Sequence, residues 1–511
     1  MKKSFFITVG FLSSLSIFAQ EPSDALRYSW YIQGGSARQQ AVGGAMGSLG
    51  GDISATFVNP AGLGLYRTGD FVLTPGYNFL NNKSTYYNTR TEKVKKNFFT
   101  FGTSGFVSGW GDPNKNSSAF SLAVNRTANF ANHVLYRGVN FQSSYSQKFL
   151  EQIRNDNVTD PNAVAQNYPF GTSLAFNTYW IDTVAGGSSG NYQFQTRAPI
   201  ATGLIQQNEF TTKGGITELA IAGAMNMKNK WLFGGTLAIP FLNYNREGTF
   251  IEADSTSNTN NKFDYASFTE SLKTDGIGFN LKLGVIYKPT EYWRLGFAIH
   301  SPSFYGLTDK YSAAVTANTE GYKGMLTQSS TLFTNGNASE FKYMLFTPYK
   351  LLGSISYVLR EVQDITKQKG FLTADVEYIN HKASSFKQDP DDSSPTTKEY
   401  FKTLNRAIDS AYKGTFNFRV GGELKFTTIM VRLGGSYYGN PYKNIHGEKG
   451  SRFQLSGGLG YRNKGMFVDL TYVYTQTKDV NYAYRLQYSN YAGANIKTAG
   501  SNILLTVGFK I

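Results

Sequence analysis

The sequence predicts an all-β protein: a transmembrane antiparallel β-barrel of about 14 strands, with an N-terminal hatch in its lumen and a small helical cap on its extracellular side. Three observations predict it. Stretches of alternating apolar and polar residues recur along the chain, every second connection between them is short, and no run of about 18 apolar residues follows the N-terminus.

The first element is a secretory signal peptide, assigned to residues 1–20. Lys2 and Lys3 form a charged head, Phe5 to Phe18 an apolar middle, and Ala19 the small residue before a cleavage point. Ser13, Ser14 and Ser16 interrupt the apolar run and argue against a membrane anchor.

Composition narrows the remainder. With no cysteine, neither disulfides nor thiolate metal sites hold this exported chain together. The formal charge of +15 is dispersed, with no basic run or stacking motif of a nucleic-acid binder. A basic surface instead suits contact with outer-membrane lipids and lipopolysaccharide. Aromatic residues make up 15% of the chain, the mix expected of strands running between aromatic girdles.

Strands are expected near 69–80, 95–110, 116–130, 215–228, 230–250, 274–288, 291–316, 340–359, 368–381, 414–427, 429–439, 451–463, 465–478 and 500–511. The period is clearest in "TFNFRVGGELKF". Phe416, Phe418, Val420, Leu424 and Phe426 share one face, and Asn417, Arg419, Glu423 and Lys425 share the other. A soluble sandwich also alternates, but it has no reason to keep every second loop short. "NK" at 229–230, "PTE" at 289–291, "TT" at 427–428 and "NK" at 463–464 read as periplasmic turns, and the longer connections read as extracellular loops. An even strand count then puts both termini in the periplasm.

The longest connection, 131–214, is too long to lack structure. "SSYSQKFLEQIRND" has Tyr145, Phe149, Leu150 and Ile153 at helical spacing behind Ser143 or Ser144, and "DPNAVAQNY" opens with Asp-Pro; both read as helices of an extracellular cap.

Residues 21–68 are polar and rich in Gly and Ala, too few for a domain of their own, and expected to fold inside the lumen as a hatch ahead of the 69–511 barrel. The run Ser36-Ala37-Arg38, Gly43-Gly44-Ala45, Asp52 and Asn59-Pro60-Ala61-Gly62-Leu63, directly before the first strand, resembles the FadL/TodX/OmpP1 family of outer-membrane long-chain fatty acid and hydrophobic compound transporters. The resemblance implies a fourteen-stranded barrel plugged by a hatch that includes Asp52, Asn59, Pro60, Ala61 and Gly62. It also implies passive uptake of a hydrophobic small molecule, captured by extracellular loops and released sideways at a kinked third strand.

In that strand, Asn125, Arg126 and Thr127 interrupt the apolar alternation and are the lateral-opening candidates. Tyr168, Phe170, Leu174, Phe176, Tyr179 and Trp180 are the ligand-binding candidates, because apolar ligands are lined by such side chains. The oxygen-rich "DSTSNTNNKFD" lacks the closing Glu of a calcium loop, and His133, His300, His381 and His446 have neither metal-ligand nor triad spacing, so no metal, cofactor or enzymatic activity is expected.

The functional expectation is an outer-membrane transporter for long-chain fatty acids or other hydrophobic small molecules, monomeric and inserted by the barrel-assembly machinery. The alternative is a non-transporting barrel that anchors a secretion or surface assembly.

Overall fold

A computed structural model describes residues 20–112, 115–184, 191–359, 369–443 and 449–511. The signal-peptide residues 1–19 and His446 lie outside them. Fourteen wall strands pair antiparallel, each with its neighbours, and the last closes on the first. The first runs Asp70–Leu73 and Pro75–Tyr86, the second Val94–Phe101 and Ser104–Asp112, and the third Asn116–Asn129 and Asn132–Asn140. The fourth to sixth are Leu204–Met227, Trp231–Asp254 and Tyr265–Tyr287. The seventh comprises Trp293–His300 and Phe304–Asn318, the eighth Ser339–Phe346 and Lys350–Leu359, and the ninth Gly370–Asn380 and Ser385–Gln388. Gly414–Phe426, Ile429–Tyr438, Ser451–Asn463, Met466–Asn481 and Ala494–Lys510 complete the wall.

The alternation sorts chemistry by side. Phe416, Phe418, Val420 and Leu424 point outward and are about half exposed, whereas Asn417, Arg419 and Glu423 point inward and are buried. The lumen holds ion pairs: Arg419 with Glu377 at 2.6 Å, Lys282 with Glu218 at 3.1 Å, and Arg432 with Glu423 at 2.6 Å and Asp469 at 2.5 Å. An apolar outside and a charged inside are the reverse of a soluble sandwich, and a closed ladder leaves few backbone groups for lipid to desolvate. Trp231, Tyr287, Trp293 and Tyr357 cluster near the short-turn ends of their strands, with the Trp231 and Tyr287 rings stacked at 4.3 Å, as in an interfacial girdle.

Four differences from the sequence reading bear on the site. The fourth strand begins at Leu204 rather than near 215, and the third runs to Asn140 rather than 130, so the cap connection shrinks to 141–203. On these strand ends the more exposed face carries Arg137, Glu209 and Lys213 while Val134, Tyr136, Leu204 and Phe210 are buried, so the apolar-out, polar-in period used to find the strands is lost. The first long connection, 87–93, is shorter than a dozen residues for the same reason. In the cap, Gln147–Asn155 and Pro161–Asn167 are helical, but the first helix begins after Ser146, and Ser144 instead hydrogen-bonds Glu252.

The fourth difference concerns the chain ends. Ile511 sits at the short-turn rim, where its backbone pairs both ways with Gly69. Gln20 lies on the long-loop side: its Nε2 donates to Asp309 Oδ2 (2.8 Å), and its carbonyl accepts from Tyr400 OH (2.6 Å) on the loop helix Pro395–Ala411. The start of the described chain therefore climbs the lumen to the rim opposite Ile511, so the two described ends do not share a rim. Burial explains it, since Ala25, Leu26, Tyr28 and Trp30 pack among Tyr244, Tyr305 and Tyr343 of the wall.

Candidate functional site

Residues 36–66 fill the lumen as short helical turns, Ala37–Ala41, Ala55–Val58 and Pro60–Leu65, almost wholly buried. Inward polar side chains of the wall hold their backbone. Ala37 N donates to Thr506 Oγ1 (2.8 Å), Ala37 O accepts from Thr471 Oγ1 (2.7 Å), Thr56 O from Thr236 Oγ1 (2.8 Å), and Leu49 O from Arg294 Nη1 (2.6 Å). Asp375 accepts from the backbone N–H groups of Met46 and Gly47, both at 3.1 Å.

The Asn59-Pro60 corner joins hatch to wall. Asn59 caps the turn Pro60–Leu65 through its Oδ1, which accepts from Ala61 N at 3.2 Å, and Pro60 supplies the fixed φ such a start favours. Its Nδ2 donates to Gly47 O at 2.6 Å and lies 3.3 Å from Val285 O and 3.4 Å from Phe297 O on the sixth and seventh strands. Asp52 accepts from Ser36 Oγ at 3.0 Å and Ser54 N at 2.9 Å, closing the loop that precedes the corner.

The wall is interrupted beside this plug. The ladder between the second and third strands extends only from Asp112 opposite Asn116 to Ser104 opposite Val124. Beyond it, Val94–Phe101 pairs with the first strand, and Asn132–Asn140 pairs with the fourth. No ladder joins those two segments among the described residues. The third strand bends there because Thr127 is extra. Ile216 is opposite Ala128 and Thr217 is opposite Arg126, a bulge of the kind that redirects strands next to functional sites. Asn125, Arg126 and Thr127 thus lie at the edge of the gap. Thr103 Oγ1 donates to Asn125 Oδ1 (3.2 Å), and Arg126 Nη1 donates to Thr217 Oγ1 (2.9 Å). The hatch backbone comes up to the same place, with Gly35 O 2.2 Å from where a Cβ on Gly102 would be.

A cavity of about 530 Å³ runs from Trp30, Tyr442 and Arg452 in the lumen to Phe98, Thr100, Phe101 and residues 126–132 at the gap. A second, of about 220 Å³, lies under the cap and shares Glu21, Arg27, Tyr145, Lys148, Arg246 and Glu270 with the first. Rings of Tyr145, Phe149, Phe268 and Tyr311 line the second. Arg246 pairs with Glu270 at 2.9 Å, and Arg27 pairs with Asp24. Enclosure by the barrel pushes the Glu21 carboxyl up, although its surface is open to the cavity; the cations of Lys148, Arg246 and Arg27 outweigh this and hold it below the usual range. For Asp24 burial wins over Arg27, and its carboxyl stays above the usual range.

The loop candidates separate. Tyr168 and Phe170 line the cap cavity; Tyr168 OH donates to Asp156 Oδ2 (2.8 Å), and the Phe170 ring meets Tyr311 at 5.5 Å. Leu174 and Trp180 are fully buried in the core between the cap and the wall strands, where Trp180 Nε1 donates to Glu252 Oε1 (2.9 Å) of the fifth strand, so they anchor the loop to the wall. Phe176 packs on Phe194, and Tyr179 packs edge-on against Tyr322. Sequence reasoning took Tyr145 and Phe149 only as the packing face of a helix and passed over Glu21, Arg27, Arg246 and Glu270. The one local signal was a charged, aromatic stretch, "EPSDALRYSWY", in an otherwise Gly-rich leader.

The chain has the fold of several solved barrels. A FadL homologue from Pseudomonas aeruginosa is 15% identical over 94% of this chain and 99% of its own, with a TM-score of 0.53. The toluene transporter TodX of P. putida is 12% identical with the same coverage and a TM-score of 0.53, and a deltaS2 mutant of the TodX monoaromatic hydrocarbon channel gives 0.55 at 12% identity. No family model matches the chain, and no curated protein sequence matches it.

Proposed function

We propose that the protein is an outer-membrane channel for passive uptake of hydrophobic small molecules. The observation that carries this is that the cap cavity and the lumen cavity share lining residues and that the lumen cavity reaches the gap between the second and third strands, directly above a seated hatch. A molecule bound beneath Tyr168 and Phe170 can move down to the hatch and leave through the wall into lipid. Lateral exit suits an apolar cargo, which regains about 25 cal/mol per Å² by entering hydrocarbon rather than water. The names of the structural relatives, a toluene transporter and a FadL homologue, support the same reading.

The cargo we favour is an apolar chain with a carboxylate head, such as a long-chain fatty acid. Lys148, exposed at the cavity it lines together with Arg27 and Arg246, offers an acid a partner where rings receive its tail. Solvent extraction of the purified protein followed by mass spectrometry tests this. Stoichiometric acids support it; only neutral hydrocarbons or membrane phospholipids count against the acid.

A further inference from the structure

A third cavity, of about 550 Å³, lies on the opposite side of the hatch, toward the short turns. Its volume is within the range of ligand sites, and it has two kinds of surface. Buried Leu49, Ile53 and Val72 supply an apolar wall that Phe467 extends. Exposed Arg67, Lys228 and Lys510, with half-buried Arg462, supply a basic one. Eight basic side chains line this cavity against three carboxylates, and Asp52 among the three is taken up by Ser36 and Ser54. Arg67, Lys228, Arg462 and Lys510 form no ion pair among the described residues. Cations without an ion-pair partner beside an apolar wall are suited to an oxyanion on a hydrocarbon chain.

The geometry points to a second binding site on the periplasmic side of the hatch, for a single-chain amphipathic carboxylate. It is separated from the cap and lumen cavities by the hatch itself, and it rests on no assumption about what crosses the wall gap. An acid held there is presented to the periplasm, whereas the gap delivers to lipid.

The test is photolabelling of the full barrel in detergent with a decanoic acid that carries a diazirine in its tail. The expected result is labelled peptides from 49–72 and 462–467, suppressed by excess decanoate but not by decanol. Loss of a charged hydrogen bond predicts at least about tenfold weaker labelling in the double variant Arg462→Gln, Lys510→Gln. Folding is read from heat-modifiable migration. Should that variant not fold, Arg67→Gln with Lys228→Gln, both exposed, gives the same reading. Labelling confined to the cap peptides, equal competition by decanol, or unchanged labelling in folded variants overturns the site. Suppression by dioctanoyl-phosphatidylglycerol and not by decanoate overturns its assignment to a free carboxylate.

Discussion

The side-chain oxygen of Asn59 fills the space in front of Gly284: a Cβ built on that glycine would stand 1.8 Å from Asn59 Oδ1. The hatch corner fits the sixth strand only where the strand has no side chain. Gly284→Ala is therefore expected to displace Asn59 and loosen the plug while the wall ladder stays intact. Planar-bilayer recordings should show conductance rising toward that of a barrel without a hatch, with heat-modifiable migration unchanged.

Asn59→Ala removes the donor to Gly47 O and the cap on Ala61 N, which costs the hatch about 1–2 kcal/mol. Uptake should fall without loss of folded barrel. Pro60→Ala should do less, since it frees the turn but leaves both Asn59 contacts in place. Equal uptake by Asn59→Ala and the unmutated protein removes the functional role of the corner.

Deleting residues 21–64 should leave an assembled barrel, because the wall strands satisfy one another's hydrogen bonds and the inward charges can be met by water. Conductance should rise sharply. Identical conductance with and without the segment contradicts a plug.

Arg432 has no exposed surface and joins Glu423 and Asp469. Arg432→Met leaves two buried carboxylates facing each other and is expected to destabilise by about 3–5 kcal/mol in urea unfolding from lipid. Adding Asp469→Asn should recover much of the loss, because Glu423 keeps Arg38 at 3.4 Å. A double variant no more stable than Arg432→Met argues against the charge account.

What the sequence made legible follows from locality. A period of two survives wherever one face meets lipid, so Phe416 to Phe426 could be placed by reading alone, and the short turns came with them. The pattern faded where strands leave the bilayer, and Leu204 to Gly214 and Asn132 to Asn140 were missed for that reason. The corner at Asn59 was legible as a turn, but not its grip on Val285 and Phe297, more than two hundred residues away. The cavity was hardest, since Glu21, Tyr145, Arg246 and Glu270 meet only after the barrel closes and the leader climbs it. Asn125 to Thr127 announced an irregularity, while the matching break at Gly102 in the second strand carries no sequence mark of its own.

Thr100 lines the lumen cavity beside the gap, half-buried, on the Val94–Phe101 segment, which is paired on one side only. Thr100→Trp should narrow the exit and reduce uptake strongly, with the amount of folded barrel unchanged. The same substitution at Phe418, outward on the tenth strand across the barrel from the gap, should leave uptake intact.

The central claim is that apolar molecules cross through this barrel and leave by the gap in its wall. Initial rates of radiolabelled oleate and toluene uptake, in cells lacking their own transporters, test it most directly. We predict a rate above the empty-vector control for at least one of the two, insensitive to energy poisons during the initial phase and lost in Thr100→Trp. An assembled barrel that takes up neither compound contradicts the claim and favours an anchoring role for the same fold.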